Sequence, residues 1–292
     1  MSLNVVGHTP GPSGPPERVA ARLPPLWAGL AGASALLSFV GAVAGLLAPG
    51  RVYAGNTMAL ADTATAQDLA GLVVAPGLLL LAYAAHRGHL RAWLVLLGVL
   101  FFTAYNYAIY AFSLSFGPLF LLWVVVWGLS VFALLGAAAS VPVSAVADRF
   151  TRAGVRAPGW FLIAAATLFT LLWLSEIVPD LLAGRPSTSA AALQLPTNPV
   201  HVLDLGICLP AVAATGVLLL RRHRLGSVSA VGLLVFLALT CGPILLTPAV
   251  TQARGHETTW SVVGPIGVVA VATLLVLARL LLSLRPIPEN HP

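Results

Sequence analysis

Leu195–Cys208 reads LPTNPVHVLDLGIC: a loop containing proline and asparagine runs directly into an apolar helix that carries His201 and Asp204 in its first turns. Asn198 stands where a helix cap belongs and Pro199 where a first-turn proline is tolerated, so the helix should start sharply, with its free amides at the loop end. The run that follows, Val200–Leu220, has the length of about 20 apolar residues that a bilayer crossing needs. Seven more runs of this kind follow along the chain: Leu26–Ala48, Asp68–His86, Ala92–Phe112, Gly117–Ser140, Gly159–Val178, Leu225–Thr247 and Ser261–Leu284. Composition points the same way. The 292 residues are 59% hydrophobic and only 8% charged, far below the roughly 25% charged fraction of soluble domains, and the mean hydropathy is +0.95. The sequence predicts an all-α polytopic membrane protein with eight transmembrane helices.

All fifteen basic residues are arginines, and the formal net charge is +6. Such a charge could serve nucleic acid, but the arginines fall in short groups between the apolar runs. With the N-terminus inside, twelve lie on the cytoplasmic side: Arg18, Arg22, Arg87, Arg91, Arg149, Arg152, Arg156, Arg221, Arg222, Arg224, Arg279 and Arg285. Arg51, Arg185 and Arg254 fall outside. This is the positive-inside pattern, which predicts a multi-pass plasma-membrane protein with both termini cytoplasmic, lipid as its constant neighbour and no nucleic-acid partner. Residues 1–25 are rich in Pro and Gly and lack the apolar core of a cleavable signal. Residues 1–22 are therefore expected to form a disordered cytoplasmic tail, with the first apolar run as targeting signal and residues 286–292 as a cytoplasmic C-terminal tail.

Numbering the runs exposes an internal repeat. The second run opens with Asp68-Leu69, carries Pro76 and ends at His86-Arg87; the sixth opens near Asp204-Leu205, carries Pro210 and ends at Arg222-His223-Arg224. Gly117-Pro118 opens the fourth run, and Gly264-Pro265 lies near the start of the eighth. Residues 23–158 and 159–285 thus read as two tandem four-helix halves in the same orientation, related by an axis along the membrane normal.

Ionisable groups inside apolar spans cost roughly 2.5–3.5 kcal/mol at mid-helix, so their positions are the best pointers to function. Nearly all lie toward the outer leaflet. Glu176 sits about one turn inside the exit of the fifth run, with Asp180 just past Pro179. His201, Asp204 and Cys208, at i, i+3 and i+7, would share one face of the sixth helix. The third run ends with Tyr105, Asn106, Tyr107 and Tyr110, and the last outer loop adds Arg254, His256 and Glu257. The third, fifth and sixth helices would then converge on an outward-facing polar site that binds ligand through His201, Asp204, Glu176, Asn106, Tyr107 and Tyr110. Each element also has a plainer reading. The tyrosines could belong to the aromatic belt of the membrane interface, Asn106 could bond between helices, and His201 could simply pair with Asp204.

The leading function on this reading is binding or transport of a small solute or lipid-like ligand. The alternatives are a membrane-embedded hydrolase or transferase that uses a metal or a His/carboxylate dyad, and a non-catalytic sensor or assembly subunit. His201, Asp204 and Glu176 are the weak metal candidates. No HExxH or GxSxG motif accompanies them, and Cys208 and Cys241 are too few and too far apart for a CxxC site. No residue pattern names a cofactor, and none sets the oligomeric state.

Overall fold

The computed structural model describes residues 22–151 and 154–284. Residues 1–21 and 286–292 of the expected tails, together with Arg152 and Arg285, lie outside those residues. The structure is 80% helical, and eight helices are long and apolar enough to cross a membrane. They are α1 (Pro25–Leu47), α2 (Met58–His86), α3 (Leu90–Ser113), α4 (Phe120–Ala139), α5 (Arg156–Leu182), α6 (Pro199–Leu220), α7 (Arg224–Ala253) and α8 (Val263–Leu282). Short helical turns at Pro49–Val52, Val143–Ala147 and Thr188–Ala192 fill the connections.

Several helices outrun their apolar segments. α2 begins at Met58, ahead of the expected start at Asp68, because Thr57 caps it by accepting from the Leu60 amide and the small residues that follow favour helix. The segment expected as a long loop therefore brings Asp62 into the bundle. α7 continues past Thr247 to Ala253 and carries Pro243 and Pro248 in its interior. α6 is continuous but not regular. Pro210 has no amide to donate, and the helix widens into a π turn over Asp204–Cys208, in which the Leu209 amide reaches back to the Asp204 carbonyl.

The packing follows from small residues. Without a hydrophobic drive between helices in lipid, close backbone approach is what holds spans together. α1 buries a stripe of Ala31, Ser34, Ala35, Ser38, Gly41, Ala42 and Gly45 and turns Leu36, Phe39 and Val40 to lipid. α1 packs on α2 and α4, and α3 packs on both as well, which closes one four-helix ring. In the second ring α6 packs on α5 and α7, and α7 packs on α8, while α5 touches α8 only sparsely. The rings meet where α7 lies against α2 and α3. Gly98 of α3 and Gly232 of α7 mark the crossing: a Cβ on Gly98 would be driven into the Gly232 carbonyl oxygen.

The two turns that lead into α3 and α7 share one backbone pattern. In the first, Arg87, Gly88 and His89 donate to the carbonyls of Tyr83, Ala85 and Ala84; in the second, Arg221, Arg222 and His223 donate to Val217, Leu219 and Leu218. Gly88 has φ 91° and Arg222 φ 58°, both left-handed, and His89 and His223 both stand at the helix caps. Gly98 and Gly232 lie the same distance beyond those histidines. α4 and α8 are each 20 residues long. In both, a buried hydroxyl bonds back one turn (Ser130 to Val126, Thr273 to Val269) and a serine closes the helix (Ser140 to Ala137, Ser283 to Leu280). The Gly-Pro pairs do not correspond: Pro118 precedes α4, whereas Pro265 lies inside α8.

Candidate functional site

The connections α1–α2, α3–α4, α5–α6 and α7–α8 gather at one end of the bundle, and that half of the molecule holds the buried Asp62, Asp68, Asn106, Asp180 and His201. Asn198 caps α6 as its sequence implies: its Oδ1 accepts from the Val200 amide at 3.0 Å, while its Nδ2 donates to Ser189 Oγ at 3.2 Å. Asp180 is taken up by the loop that follows it. It accepts from Arg185 at 2.8 Å and from the Thr188 amide at 2.7 Å, and so fastens the α5–α6 connection.

A cavity of about 380 Å³ lies between the two rings, walled by α2, α3, α5, α6, α7 and α8. Most of its wall is apolar, from Leu60, Phe102, Ile109, Phe169, Phe236, Leu237, Ile244, Ile266 and Val269. Its polar points are few: Thr63, Gln67, Tyr105, Asn106, Tyr110, Ser113, Trp173, Asn198, Asp204, Thr240, Thr247 and the two thiols, with Ser113 Oγ lacking a partner. Cys208 and Cys241 are both free and both buried at this wall.

The π turn decides where the α6 side chains go. Asp204 accepts hydrogen bonds from Tyr105 Oη at 3.0 Å and from Trp173 Nε1 at 2.8 Å, so α3, α5 and α6 are tied at one carboxylate in the cavity wall. Tyr105 also meets Phe236 of α7 edge-on, with centroids 5.3 Å apart. His201 is buried but takes no part in the cavity wall. Its Nε2 lies 3.6 Å from Glu176 Oε2, and its ring packs against Trp173 with centroids 4.7 Å apart. Trp173 thus joins the His201–Glu176 pair on one side to Asp204 and the cavity on the other.

The third-helix residues divide differently. Asn106, 9% exposed, leaves its Nδ2 without a partner and lines both the large cavity and a smaller one of about 30 Å³. Tyr110 also lines both; its hydroxyl lies 2.9 Å from the Ala64 carbonyl and 3.1 Å from Asp68 Oδ1. Tyr107 belongs to the small cavity alone and donates to the Ser38 carbonyl at 3.3 Å. Of the six residues singled out from the sequence, Asp204, Asn106 and Tyr110 therefore share the large cavity, Tyr107 adjoins it, and His201 with Glu176 stands behind Trp173.

Other groups escaped the sequence reading. Trp173, one turn before Glu176, passes for an interfacial aromatic, as does Tyr105; only their shared acceptor distinguishes them. Tyr53, between α1 and α2, donates to Asp68 Oδ2, and burial followed by the neighbouring carboxylate pushes its hydroxyl above the ordinary phenol value, which keeps it a donor. Gly45 makes room for that carboxylate, since a Cβ there would collide with it. Asp62, counted with a loop in the sequence, is buried against Arg254 and His256 of the α7–α8 connection. Glu257, the neighbour expected with them, forms no salt bridge among the described residues.

Comparison with protein-family models, curated proteins and solved structures finds no match for this chain. The site must speak through its own geometry. Among the described residues no three His, Cys, Asp or Glu side chains gather as metal ligands, because Asp204 turns to Tyr105 and Trp173 and away from the His201–Glu176 pair.

Truncating Asp204 to Ala should strand the buried Tyr105 hydroxyl and the half-buried Trp173 indole and lower unfolding free energy by about 2–3 kcal/mol, whereas Asp204→Asn, which keeps an acceptor, should lose about half as much. Thermal melts in detergent measure the difference. Equal melting of the two variants would mean that Tyr105 and Trp173 find other partners.

Proposed function

We propose that this protein binds a small, largely apolar solute or lipid-like molecule in the cavity between its two rings and carries it into or through the plasma membrane. The observation that carries the reading is the cavity itself: about 380 Å³, mostly apolar, with an unpartnered Asn106 amide at its wall. Small-molecule sites have this make-up, an apolar volume of roughly 300–1,000 Å³ with a few placed polar groups. The ligand this favours has an apolar body and one hydrogen-bond acceptor for Asn106 Nδ2. The described arginines support an outward opening. Arg87, Arg91, Arg149, Arg156, Arg221, Arg222, Arg224 and Arg279 gather at the end away from the cavity, which the positive-inside rule assigns to the cytoplasm.

The repeated turns and the matched α4 and α8 support a tandem duplication in which the α3–α7 crossing lies on the pseudo-twofold axis. Transport across an interface between repeats is a recurring arrangement in carriers. Proline within α2, α6 and α7 fits it as well, since irregular backbone is tolerated where it lines a cavity.

The chain's two cysteines provide the test, since both line the cavity. N-ethylmaleimide added to sealed vesicles should modify the native protein, and Thr240→Trp, which fills the space, should slow the reaction severalfold. A reaction rate that Thr240→Trp leaves unchanged would mean that the reagent does not reach the thiols through this cavity. Transport adds a further demand: Leu97→Cys, in the first third of α3, must also react. Labelling confined to the cavity leaves binding without passage.

A further inference from the structure

Of the buried carboxylates Asp62, Asp68 and Asp180, Asp68 is the one with no salt bridge among the described residues. It sits in α2, buried, with its two oxygens facing the hydroxyls of Tyr53 and Tyr110. The titratable groups facing it are Tyr53 from the α1–α2 connection and Tyr107 and Tyr110 from α3; α1 presents Gly45 and Ser38, and among the described residues no Arg or His pairs with it. An isolated negative charge at this depth is costly, and a bound proton removes the cost.

The hydrogen bonds around it suit both protonation states. The Tyr110 hydroxyl has one hydrogen and two acceptors in reach, the Ala64 carbonyl at 2.9 Å and Asp68 Oδ1 at 3.1 Å. When Asp68 is ionised, Tyr110 donates to it. When Oδ1 carries a proton, that O–H donates to the Tyr110 oxygen and Tyr110 turns its hydrogen to Ala64. No heavy atom has to move.

A route for the proton adjoins. The cavity of about 30 Å³ is lined by Ser38, Gln67, Asp68, Thr103, Asn106 and Tyr107 among others, and is large enough for one water. Ser38, 6% exposed, and Asn106 both belong to its wall, and Ser38 Oγ and Asn106 Nδ2 both lack partners. Two orphaned polar groups beside a carboxylate are the set that holds a bridging water. Asn106 and Gln67 also line the large cavity, so the water would sit directly behind the ligand-binding wall.

We propose that Asp68 is a reversible proton-binding site, loaded through a water held by Ser38 and Asn106. The step balances simply: a hydronium gives its proton to Asp68 Oδ1 and leaves as water, and release runs in reverse. Coupling of this proton to a ligand in the large cavity rests on the binding reading above; the proton site itself does not.

Infrared difference spectra of the full chain in lipid vesicles, taken over about pH 4–10, span the ordinary carboxyl and phenol range. A carbonyl band of a protonated, buried carboxyl should fade as pH rises, vanish in Asp68→Asn and persist in Asp204→Asn. Tyr110→Phe removes the hydroxyl that serves both states, so it should shift the midpoint and the band frequency without abolishing the band. Should Asp68→Asn fail to fold, the Tyr110→Phe shift decides. Absence of any titrating carboxyl band, its survival in Asp68→Asn, or a midpoint and frequency untouched by Tyr110→Phe would overturn the proposal. The maleimide result is unaffected by any of these, so the cavity reading and the proton site stand or fall separately.

Discussion

Gly98→Val should be among the most damaging single substitutions in the chain, with a loss of about 3 kcal/mol or more in unfolding free energy. The position lies where α3 crosses α7, and the new Cβ would meet the Gly232 carbonyl oxygen and the side chain of Val235. A flexible side chain can yield to such a clash by changing rotamer; a helix carbonyl cannot. The helices must separate, and with them the two rings and the cavity between them. Gly77 and Gly264, which have no neighbour within 4 Å of an added Cβ, provide the contrast. Alanine there should leave stability within about 0.5 kcal/mol or raise it slightly by restricting the unfolded chain. Thermal unfolding in detergent ranks the three, and a Gly98→Val protein that melts with the native one would refute the crossing as the joint between the rings.

Asp62→Ala is expected to come second, at about 2–3 kcal/mol, below the usual cost of breaking a fully buried pair because the cationic side keeps some contact with solvent. The carboxylate is 2% exposed; it accepts from Arg254 Nη1 at 3.0 Å and from His256 Nδ1 at 2.7 Å, and Arg254 also reaches Thr65 Oγ1 at 3.1 Å. This cluster is the main polar tie of the α7–α8 connection to α2. Its removal should both destabilise the fold and free the segment 254–262, so that protease cleavage there accelerates. Arg254→Ala should cost less, since the arginine is about one-third exposed. Loss of stability with no change in cleavage would show that the connection is held by other contacts.

Much of the fold is legible in the sequence because the bilayer imposes so blunt a rule. A run of about 20 apolar residues has few alternatives to a spanning helix. The limits of that legibility show at α2. Its first ten residues, MALADTATAQ, look like a polar loop; they are helical because Thr57 caps them and because Asp62 and Asp68 find partners that the segment itself does not carry.

The candidate site was legible in part. His201, Asp204, Glu176 and Asn106 announce themselves by cost, as polar groups in apolar surroundings. Grouping His201, Asp204 and Cys208 on one face assumed a regular helix, and the π turn ahead of Pro210 departs from that assumption. Tyr105, Trp173 and Tyr53 carry no such signal, because an aromatic near an interface is cheap whether or not it binds a carboxylate. Their roles depend on which carboxylate each hydroxyl or indole meets.

The amino-acid sequence by itself determined that this chain is all helix, that it crosses a membrane eight times, and where its costly polar groups fall. These follow from local transfer energies, which each segment settles without reference to the others. The tertiary structure alone decided that Asp204 and Asp68, alike in sequence setting, answer to different partners. It also placed Trp173 between His201 and the cavity and left the Asn106 amide unpartnered. Those outcomes depend on contacts between segments far apart in the chain, which small residues such as Gly45, Gly98 and Gly232 permit and which no single segment records.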